Sequence, residues 1–158
     1  MRRLQRTIAE IGWTREVPRL TEHDAVARAF DAMRRESHDC VLVMHDDQLA
    51  GIFTSRDFLN RVAAVRGDPN RLTLAEVMTQ SPRTLRPHND VVFAINWMAI
   101  EGFRNVPIVD EVGAVLGVLT VWDVMRTLED LFQEIDATPR SARGDISEVN
   151  TVDLGGGG

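Results

Sequence analysis

Gly51-Ile52-Phe53-Thr54-Ser55-Arg56-Asp57 and Gly117-Val118-Leu119-Thr120-Val121-Trp122-Asp123 are two copies of one motif: a glycine, two apolar residues, then Thr-x-x-Asp. Similar residues precede both copies at a constant offset of 65, in the pairs Leu20/Leu85, His23/His88, Val26/Val91, Ala29/Ala94, Met33/Met98, Glu36/Glu101 and Val41/Val106. From the two glycines onward the offset is 66. One residue inserted in a polar turn explains the change, because loops tolerate extra length. The chain is therefore a tandem duplication.

The composition is that of an ordinary globular protein. Of the 158 residues, 44% are hydrophobic and 27% are charged, so the chain can bury one core or two small cores that share an interface. The net charge of -6 argues against a general nucleic-acid binder, because affinity for a phosphate backbone needs a basic surface. An anionic ligand would have to be met by local arginines.

The sequence predicts no membrane segment. No apolar run approaches the ~20 residues that cross a bilayer, and residues 1–6 lead into no secretory signal. We therefore expect a cytoplasmic protein with no membrane partner. Cys40 is the only cysteine and lies in an apolar run, which predicts a buried, inert thiol and neither a disulfide nor a thiolate metal site.

Each half is predicted to fold as strand, helix, strand, strand, helix. Short extended segments near Leu20 and Leu85 come first, and a helix with one apolar face follows each of them. The expected N-caps of these helices are Asp24 and Asn89, and the expected C-terminal ends are Ser37 and Gly102. Two predicted hairpins come next, 40–44 with 49–53 and 106–109 with 115–119. Their nearly continuous apolarity indicates strands that are covered on both faces.

Five segments are predicted along the chain: an N-terminal helical extension (1–16), a first repeat (17–66), a linker with a short helix (67–79), a second repeat (80–132), and a disordered polar and glycine-rich tail (133–158). In the extension, Leu4, Ile8 and Ile11 have helical spacing and predict an amphipathic helix that packs on the body; a membrane-surface helix is the alternative. In the linker, Thr73-Leu74-Ala75-Glu76 has the form of a capping box.

The repeated Thr-x-x-Asp motif has two interpretations. A threonine at the N-cap with an acid three residues later is a local arrangement that caps a helix. Two features favour a ligand site: the motif recurs after both hairpins, and a glycine three residues earlier lets a ligand approach the backbone. A carboxylate beside a helix N-terminus can accept two hydroxyl hydrogens, as from the diol of a ribose, and the helix end also favours a phosphate.

The paired motifs, each preceded by a helix and a strand such as Arg104-Asn105-Val106-Pro107-Ile108-Val109-Asp110, resemble the cystathionine-β-synthase (CBS) domain family over about residues 17–130. The resemblance implies an α+β fold in which tandem CBS repeats pack pseudo-symmetrically into one Bateman module. It also implies two clefts that bind AMP, ADP, ATP or S-adenosylmethionine as regulatory ligands, with no cofactor required. The implied role is that of a sensor that signals to a partner.

The same resemblance implies roles for individual residues. Asp57 and Asp123 would hold the ribose, Thr54 and Thr120 would support ribose or phosphate, and Arg56 would contact the phosphates. The adenine side would be formed near Val41 and Leu42 in one cleft, and near Val106, Pro107 and Arg104 in the other.

The two copies differ where the ligand charge would be met. Trp122 stands in the second copy where the first has Arg56, so the second cleft has lost a cation. Arg104, Arg83 or Arg86 could replace it, the site could take a ligand of lower charge, or Trp122 could pack in a dimer or core contact. Leu42 also stands where the second repeat has Pro107. We expect one functional cleft, the one that bears Thr54, rather than two.

The sequence predicts no enzyme. It has no nucleophile elbow, no P-loop and no Gly-x-Gly-x-x-Gly, and its histidines, His23, His38, His45 and His88, show no metal-ligand spacing. The alternative to a ligand sensor is a dimerisation or interaction module in which Thr-x-x-Asp only caps helices.

We also expect a homodimer, and a separately encoded enzyme or transporter is a possible regulated partner. The dimer surface could be formed by apolar residues of the helix after each hairpin, and the alternative is that these residues complete the monomer core. They are Phe58, Leu59, Val124 and Met125.

Overall fold

The computed structural model of this chain describes residues 6–137. The elements are α1 (Ile8–Ile11), β1 (Arg19–Thr21), α2 (Val26–Glu36), β2 (Cys40–His45), β3 (Gln48–Thr54), α3 (Ser55–Asp57, continued by a π-helical segment Phe58–Ala63), α4 (Leu74–Val77), β4 (Thr79–Gln80), α5 (Val91–Ile100), β5 (Asn105–Val109), β6 (Val115–Thr120) and α6 (Val121–Ala137). The predicted α+β class and both hairpins are confirmed. The predicted disordered tail is wrong for residues 133–137, which continue α6, and the rest of it, 138–158, lies outside the described residues.

The residues up to Met125 form one compact unit, and Arg126 begins a second. The first unit holds all the strands described here and both copies of the repeated motif. Within the described residues, no helix is both long enough and apolar enough to cross a membrane.

The two halves build similar sheets. In the first, the strand order is β1-β2-β3-β4, with β1 parallel to β2 and the other neighbours antiparallel. In the second, β5 and β6 form an antiparallel hairpin, Leu85 bridges Ile108 in parallel, and Thr14 bridges Val118 in antiparallel orientation. Residues 40–44 of β2 are all buried, as expected for a strand that is covered on both faces.

Each sheet receives its last strand from the segment that precedes the other repeat. Thr79 ends the linker and Gln80 begins the predicted second repeat, and they pair with Ile52 and Gly51 of the first. Thr14 precedes the first repeat, yet its amide and carbonyl exchange hydrogen bonds with Val118 of the second, at 3.0 and 2.8 Å. The two repeats are therefore interlocked by reciprocal strands.

The short helices before these strands are also equivalent. In α1 the amide of Ile8 donates to the carbonyl of Asn89, and in α4 the amide of Leu74 donates to the carbonyl of Asp24, both at 2.9 Å. Each helix opens with a Thr-x-x-Glu capping box, from Thr7 and from Thr73. The backbone amides of these threonines lower the pKa of the capping glutamates, Glu10 and Glu76. The predicted extension and the predicted linker are thus two copies of one element.

The helices α2 and α5 start one residue later than predicted. Their N-caps are Ala25 and Asp90, and the Asp90 carboxylate accepts a hydrogen bond from the Val92 amide. Asp24 and Asn89 instead accept hydrogen bonds from amides three residues earlier, so they close the turn that precedes each helix. The helices end as predicted, with left-handed backbone at Ser37 (φ 57°) and Gly102 (φ 74°).

The four residues of the predicted dimer surface divide between core and surface. Val124 is buried, and Phe58 packs partly against the first core, with its ring stacked on Phe30 at 5.1 Å between centroids. Leu59 and Met125 are exposed. The core interpretation therefore holds for Val124 and Phe58, and Leu59 and Met125 remain available on the surface.

The thiol of Cys40 is buried as predicted. Burial raises the pKa of this thiol to about 12. Because the thiolate is the nucleophilic form, a buried thiol with a raised pKa reacts slowly.

A contact at the end of β2 makes stability depend on pH. Nδ1 of His45 lies 2.8 Å from Oε1 of Glu22. This hydrogen bond, with the negative charges of Glu22 and Asp46, raises the pKa of His45 above its ordinary value of 6.5. Because the pKa is higher in the folded than in the unfolded chain, the contact stabilises the fold fully below about pH 6.5. The contribution is lost as the pH rises through the folded-state pKa.

His45→Gln is expected to remove this pH-dependent contribution. Urea unfolding at about pH 5.5 and about pH 9 should show that the variant loses more stability at the lower pH than at the higher. His38→Gln is the control for replacing a histidine, since His38 makes no ion pair with a described residue. An equal effect of His45→Gln at both would contradict the prediction.

Candidate ligand-binding cleft

A cleft of about 360 Å³ lies between the two repeats within the first unit. Its volume falls in the range of small-molecule pockets. One wall is the region around the Thr54 motif of the first repeat. The other wall consists of β4 with the residues after it, and of the turn after α5 in the second repeat. The lining residues are Asp39, Ile52, Thr54, Ser55, Arg56, Asp57, Thr79, Ser81, Pro82, Arg83, Glu101, Gly102, Phe103, Arg104 and Asn105.

The Thr54 motif forms a capping box at the start of α3. Oδ2 of Asp57 accepts hydrogen bonds from the amide and the hydroxyl of Thr54, both at 2.9 Å, and the Thr54 hydroxyl accepts one from the Asp57 amide. Oδ1 of Asp57 lies 3.5 Å from Nη1 of Arg61. The capping role of the motif is therefore real, and it engages one carboxylate oxygen while the side chain lines the cleft.

Arg56 connects the two walls of the cleft. Its Nη1 donates a hydrogen bond of 3.1 Å to the carbonyl of Gly102, which lies in the turn after α5. A carbonyl is neutral, so this contact leaves the guanidinium charge uncompensated. A side chain at Gly102 would meet Arg56 at 3.3 Å, and the φ of +74° also favours glycine there.

Two further arginines line the wall formed by the second repeat. Arg83 makes an ion pair with Glu101, and its guanidinium lies 5.3 Å from the centroid of the Trp97 ring. Arg104 is exposed and makes no side-chain hydrogen bond or ion pair with a described residue. Arg56 and Arg104 are therefore the cations of this cleft that are not held in an ion pair by the described protein.

The structure separates the predicted site residues into groups. Thr54, Arg56, Asp57 and Arg104 line one cleft. Arg104 was expected in the other cleft, and its place beside the Thr54 motif corrects that expectation. The four residues predicted near the adenine are buried in β2 and β5 and are not among the lining side chains: Val41, Leu42, Val106 and Pro107.

The sequence interpretation missed the wall from the second repeat, which comprises residues 79–83 and 101–105. The first segment follows the linker helix α4, and the second is the turn after α5, which contains Gly102. In a pseudo-symmetric pair, the turn after one repeat's helix faces the other repeat's motif. That rule could have placed Glu101 and Phe103 in this cleft from the sequence, whereas Arg83, which precedes α5, does not follow from it.

The second motif lies in a different environment. Asp123 is only 8% exposed, and its Oδ2 accepts hydrogen bonds from the Thr120 amide (2.8 Å), the Thr120 hydroxyl (2.7 Å) and the Thr14 hydroxyl (3.4 Å). The offsets of the duplication place Trp122, Pro18 and Asp39 at the positions of Arg56, Arg83 and Arg104. None of the three arginines of the first cleft is therefore repeated.

Trp122 does not complete the core, which was one of its predicted roles. Its side chain is 69% exposed. A dimer contact remains a prediction for this residue.

The fold and the cleft define a module of two interlocked repeats with a cleft of small-molecule size between them. The chain belongs to the CBS-domain family, because the family model described as CBS domain matches it twice, at residues 13–64 and 74–130. A relative, the meiotically up-regulated gene 70 protein of Schizosaccharomyces pombe, is 32% identical over 120 residues, which are 76% of this chain. The chain spans 16% of the length of that protein.

Solved structures show the same fold. A candidate signal-transduction protein with CBS domains from Burkholderia ambifaria superposes with a TM-score of 0.73 at 24% identity, over 78% of this chain and 93% of that one. A hexameric CBS-CP12 protein from bloom-forming cyanobacteria superposes with a TM-score of 0.68 at 25% identity, over 77% of this chain and 67% of that one. The predicted tandem CBS architecture is confirmed.

Proposed function

We propose that this CBS pair is a regulatory sensor that binds an adenosine-containing ligand in the cleft bearing Thr54, Arg56 and Asp57. The ligand would be AMP, ADP, ATP or S-adenosylmethionine, and the role is binding without catalysis. The observation that carries the proposal is the cleft itself, which joins a carboxylate at a helix start to uncompensated guanidinium groups on both walls.

The geometry of the cleft suits a nucleoside. Oδ2 of Asp57 holds Thr54, and Oδ1 keeps lone pairs that can accept hydrogen bonds from a ribose diol. The guanidinium groups of Arg56 and Arg104 can donate charge-assisted hydrogen bonds to phosphate or carboxylate oxygens of the ligand. Phe103 offers a ring on which a base can stack.

Arg56 could transmit the presence of a ligand in the cleft from one repeat to the other. Arg56 belongs to the first repeat and holds the Gly102 carbonyl of the second. An anion bound in the cleft would compete with that carbonyl for the guanidinium, and it would shift the equilibrium by its difference in affinity between the two arrangements. A separately encoded enzyme or transporter that contacts either repeat could read the shift.

Asp57→Asn is expected to abolish ligand-induced stabilisation. The amide nitrogen that replaces one carboxylate oxygen cannot accept a hydrogen bond, so the side chain can no longer both cap Thr54 and accept from a ribose diol. The measurement is thermal unfolding with adenosine, AMP, ADP, ATP, S-adenosylmethionine and GTP. In the unmodified chain, an adenosine compound at ~100 times its dissociation constant should add ~2.7 kcal/mol. The matched control is Asp123→Asn, which weakens the equivalent capping box and should leave ligand stabilisation intact. Loss of ligand-induced stabilisation in the Asp123 variant alone would contradict the proposal, because the ligand would then bind at the Thr120 motif.

The alternative function is an interaction module without a ligand. It is favoured by the observation that both motifs form complete capping boxes, as the alternative requires. In that case no adenosine compound would raise the stability of the unmodified chain. Asp57→Asn and Asp123→Asn would each cost only the ~0.5–2 kcal/mol typical of a lost cap.

A further inference from the structure

The cleft contains an ion pair between two of its own lining residues. Arg83, which follows β4, pairs with Glu101 at the C-terminal end of α5, and both side chains line the cleft. Trp97, one turn earlier in α5, has its ring centroid 5.3 Å from the Arg83 guanidinium. Arg83 is therefore held by the protein, whereas Arg56 and Arg104 form no ion pair with a described residue.

Glu101 stands at an unfavourable place for a carboxylate. A helix C-terminus carries a partial negative charge, which repels an acid. The last turn of α5 contains no basic residue that would offset this repulsion. The counterpart of Glu101 in the first repeat, Glu36, follows Arg34 and Arg35 in the last turn of α2. Arg83 therefore supplies the compensation that α5 itself lacks.

The turn after α5 contacts two of the three arginines of the cleft. Glu101 holds Arg83, and the carbonyl of the next residue, Gly102, accepts a hydrogen bond of 3.1 Å from Arg56. A carbonyl is neutral, so of these two contacts the one with Glu101 cancels a positive charge. Arg56 and Arg104 together match the charge of one phosphate monoester, which is about −1.5 to −2 at neutral pH.

We propose that Glu101 determines the charge specificity of the cleft: it withholds Arg83 from the ligand and so disfavours a chain of phosphates relative to a monophosphate. The inference rests on the proposed function, because it needs an anion in the cleft. A longer phosphate chain needs a third cation, and Arg83 becomes available only when its ion pair with Glu101 breaks. The released carboxylate would then repel the ligand, as would Asp39 and Asp57, the other acids that line the cleft.

The ion pair is exposed enough for a ligand to compete with it. The side chain of Arg83 is 53% exposed and that of Glu101 is 34% exposed. Ion pairs at such exposure contribute little to stability, so Glu101→Gln should leave the fold intact. The alternative is a surface ion pair without a role in binding, whose loss would leave the relative affinities of different anions unchanged.

The test compares the affinities of phosphate, tripolyphosphate, AMP and ATP for the unmodified chain and for Glu101→Gln, by isothermal titration calorimetry without divalent cations. Glutamine keeps the size of the side chain and removes its charge. Tripolyphosphate and ATP should bind ~10-fold more tightly to the variant, the scale of one charged hydrogen bond gained. Phosphate and AMP should change by less than ~2-fold, because Arg56 and Arg104 already meet one phosphate group.

Glu36→Gln is the matched control. Glu36 is the repeat counterpart of Glu101, and it is exposed and makes no side-chain hydrogen bond or ion pair with a described residue. Its substitution should leave all four affinities unchanged. The double variant Glu101→Gln/Arg83→Gln should lose the gain for tripolyphosphate and ATP, because Arg83 supplies the additional contact.

Four results would overturn the inference: equal gains for monophosphates and triphosphates, the same gain from Glu36→Gln, a gain that survives the loss of Arg83, or no binding of any of the four anions to either protein. The proposed function is judged separately. If ATP binds no better than tripolyphosphate while the effect of Glu101→Gln is present, adenosine recognition fails and the role of Glu101 stands. If AMP binding requires Asp57 but Glu101→Gln leaves the ratio of affinities unchanged, the proposed function stands and the role of Glu101 fails.

Discussion

Replacing Gly117 with alanine is expected to cost roughly 3 kcal/mol or more of the free energy of unfolding. A Cβ at this position would lie 2.3 Å from the Thr14 carbonyl oxygen and 2.9 Å from the Cα of Arg15. The backbone φ of +153° is also one that side chains rarely adopt. The obstructing atoms belong to the backbone, so a change of rotamer cannot relieve the clash. Relief requires the Thr14 strand to move away from β6.

Gly113→Ala is the matched control for this prediction. Gly113 also has a positive φ, +88°, but the nearest atom to its Cβ is Oε1 of Gln48 at 3.9 Å. Its substitution should therefore cost only the backbone strain, ~1 kcal/mol. Urea unfolding of both variants measures the difference. Equal costs would mean that the clash at Gly117 relaxes freely and that the Thr14 strand is loosely held.

Ile8→Ala and Leu74→Ala are each expected to destabilise the protein by ~2–5 kcal/mol, the usual cost of truncating a fully buried aliphatic side chain. Both side chains are fully buried, and they occupy equivalent places at the start of α1 and α4. If residues 1–16 were only an appendage, the Ile8 variant would lose much less.

Ile11→Ala is the control for the Ile8 variant. Ile11 lies in the same short helix and is only partly buried, so the same truncation should cost less. Chemical denaturation of the three variants gives the comparison. A small loss for Ile8 beside a large loss for Leu74 would contradict the equivalence of α1 and α4.

Local patterns in the sequence were sufficient to predict the helices and hairpins of each half. The hairpins follow from apolar runs that flank short polar turns, and the ends of α2 and α5 follow from Ser37 and Gly102. The capping box at Thr73 was also recognisable, because all of its hydrogen bonds lie within four residues. The N-caps were displaced by one residue because Asp24 and Asn89 can satisfy either a helix or the turn before it.

Partners far apart in the sequence were not predictable in the same way. Thr14 and Val118 pair across more than a hundred residues, and no local pattern specifies which sheet a lone strand joins. One signal was present, however. Thr7-Ile8-Ala9-Glu10 and Thr73-Leu74-Ala75-Glu76 repeat the Thr-x-Ala-Glu pattern at the offset of 66. This match extends the duplication to the N-terminal segment.

The residues that line the cleft could be predicted only in part, because some of them are also far apart in the sequence. Sequence placed Thr54, Arg56 and Asp57 in one motif because they are neighbours in the chain. The opposing arginines come from segments that begin more than twenty residues later, and only the packing of the repeats brings them together.

The interlocked strands have a consequence for how the chain is made. Residues 8–14 leave the ribosome well before Val118, which pairs with Thr14 and is among the last parts of the described fold to be synthesised. The first repeat can complete its sheet as soon as residues 79 and 80 emerge. The N-terminal segment must wait until Asn89, which accepts a hydrogen bond from the Ile8 amide, and then β6 have been made. A gene split between residues 66 and 67 would therefore give two fragments that each hold the missing strand of the other.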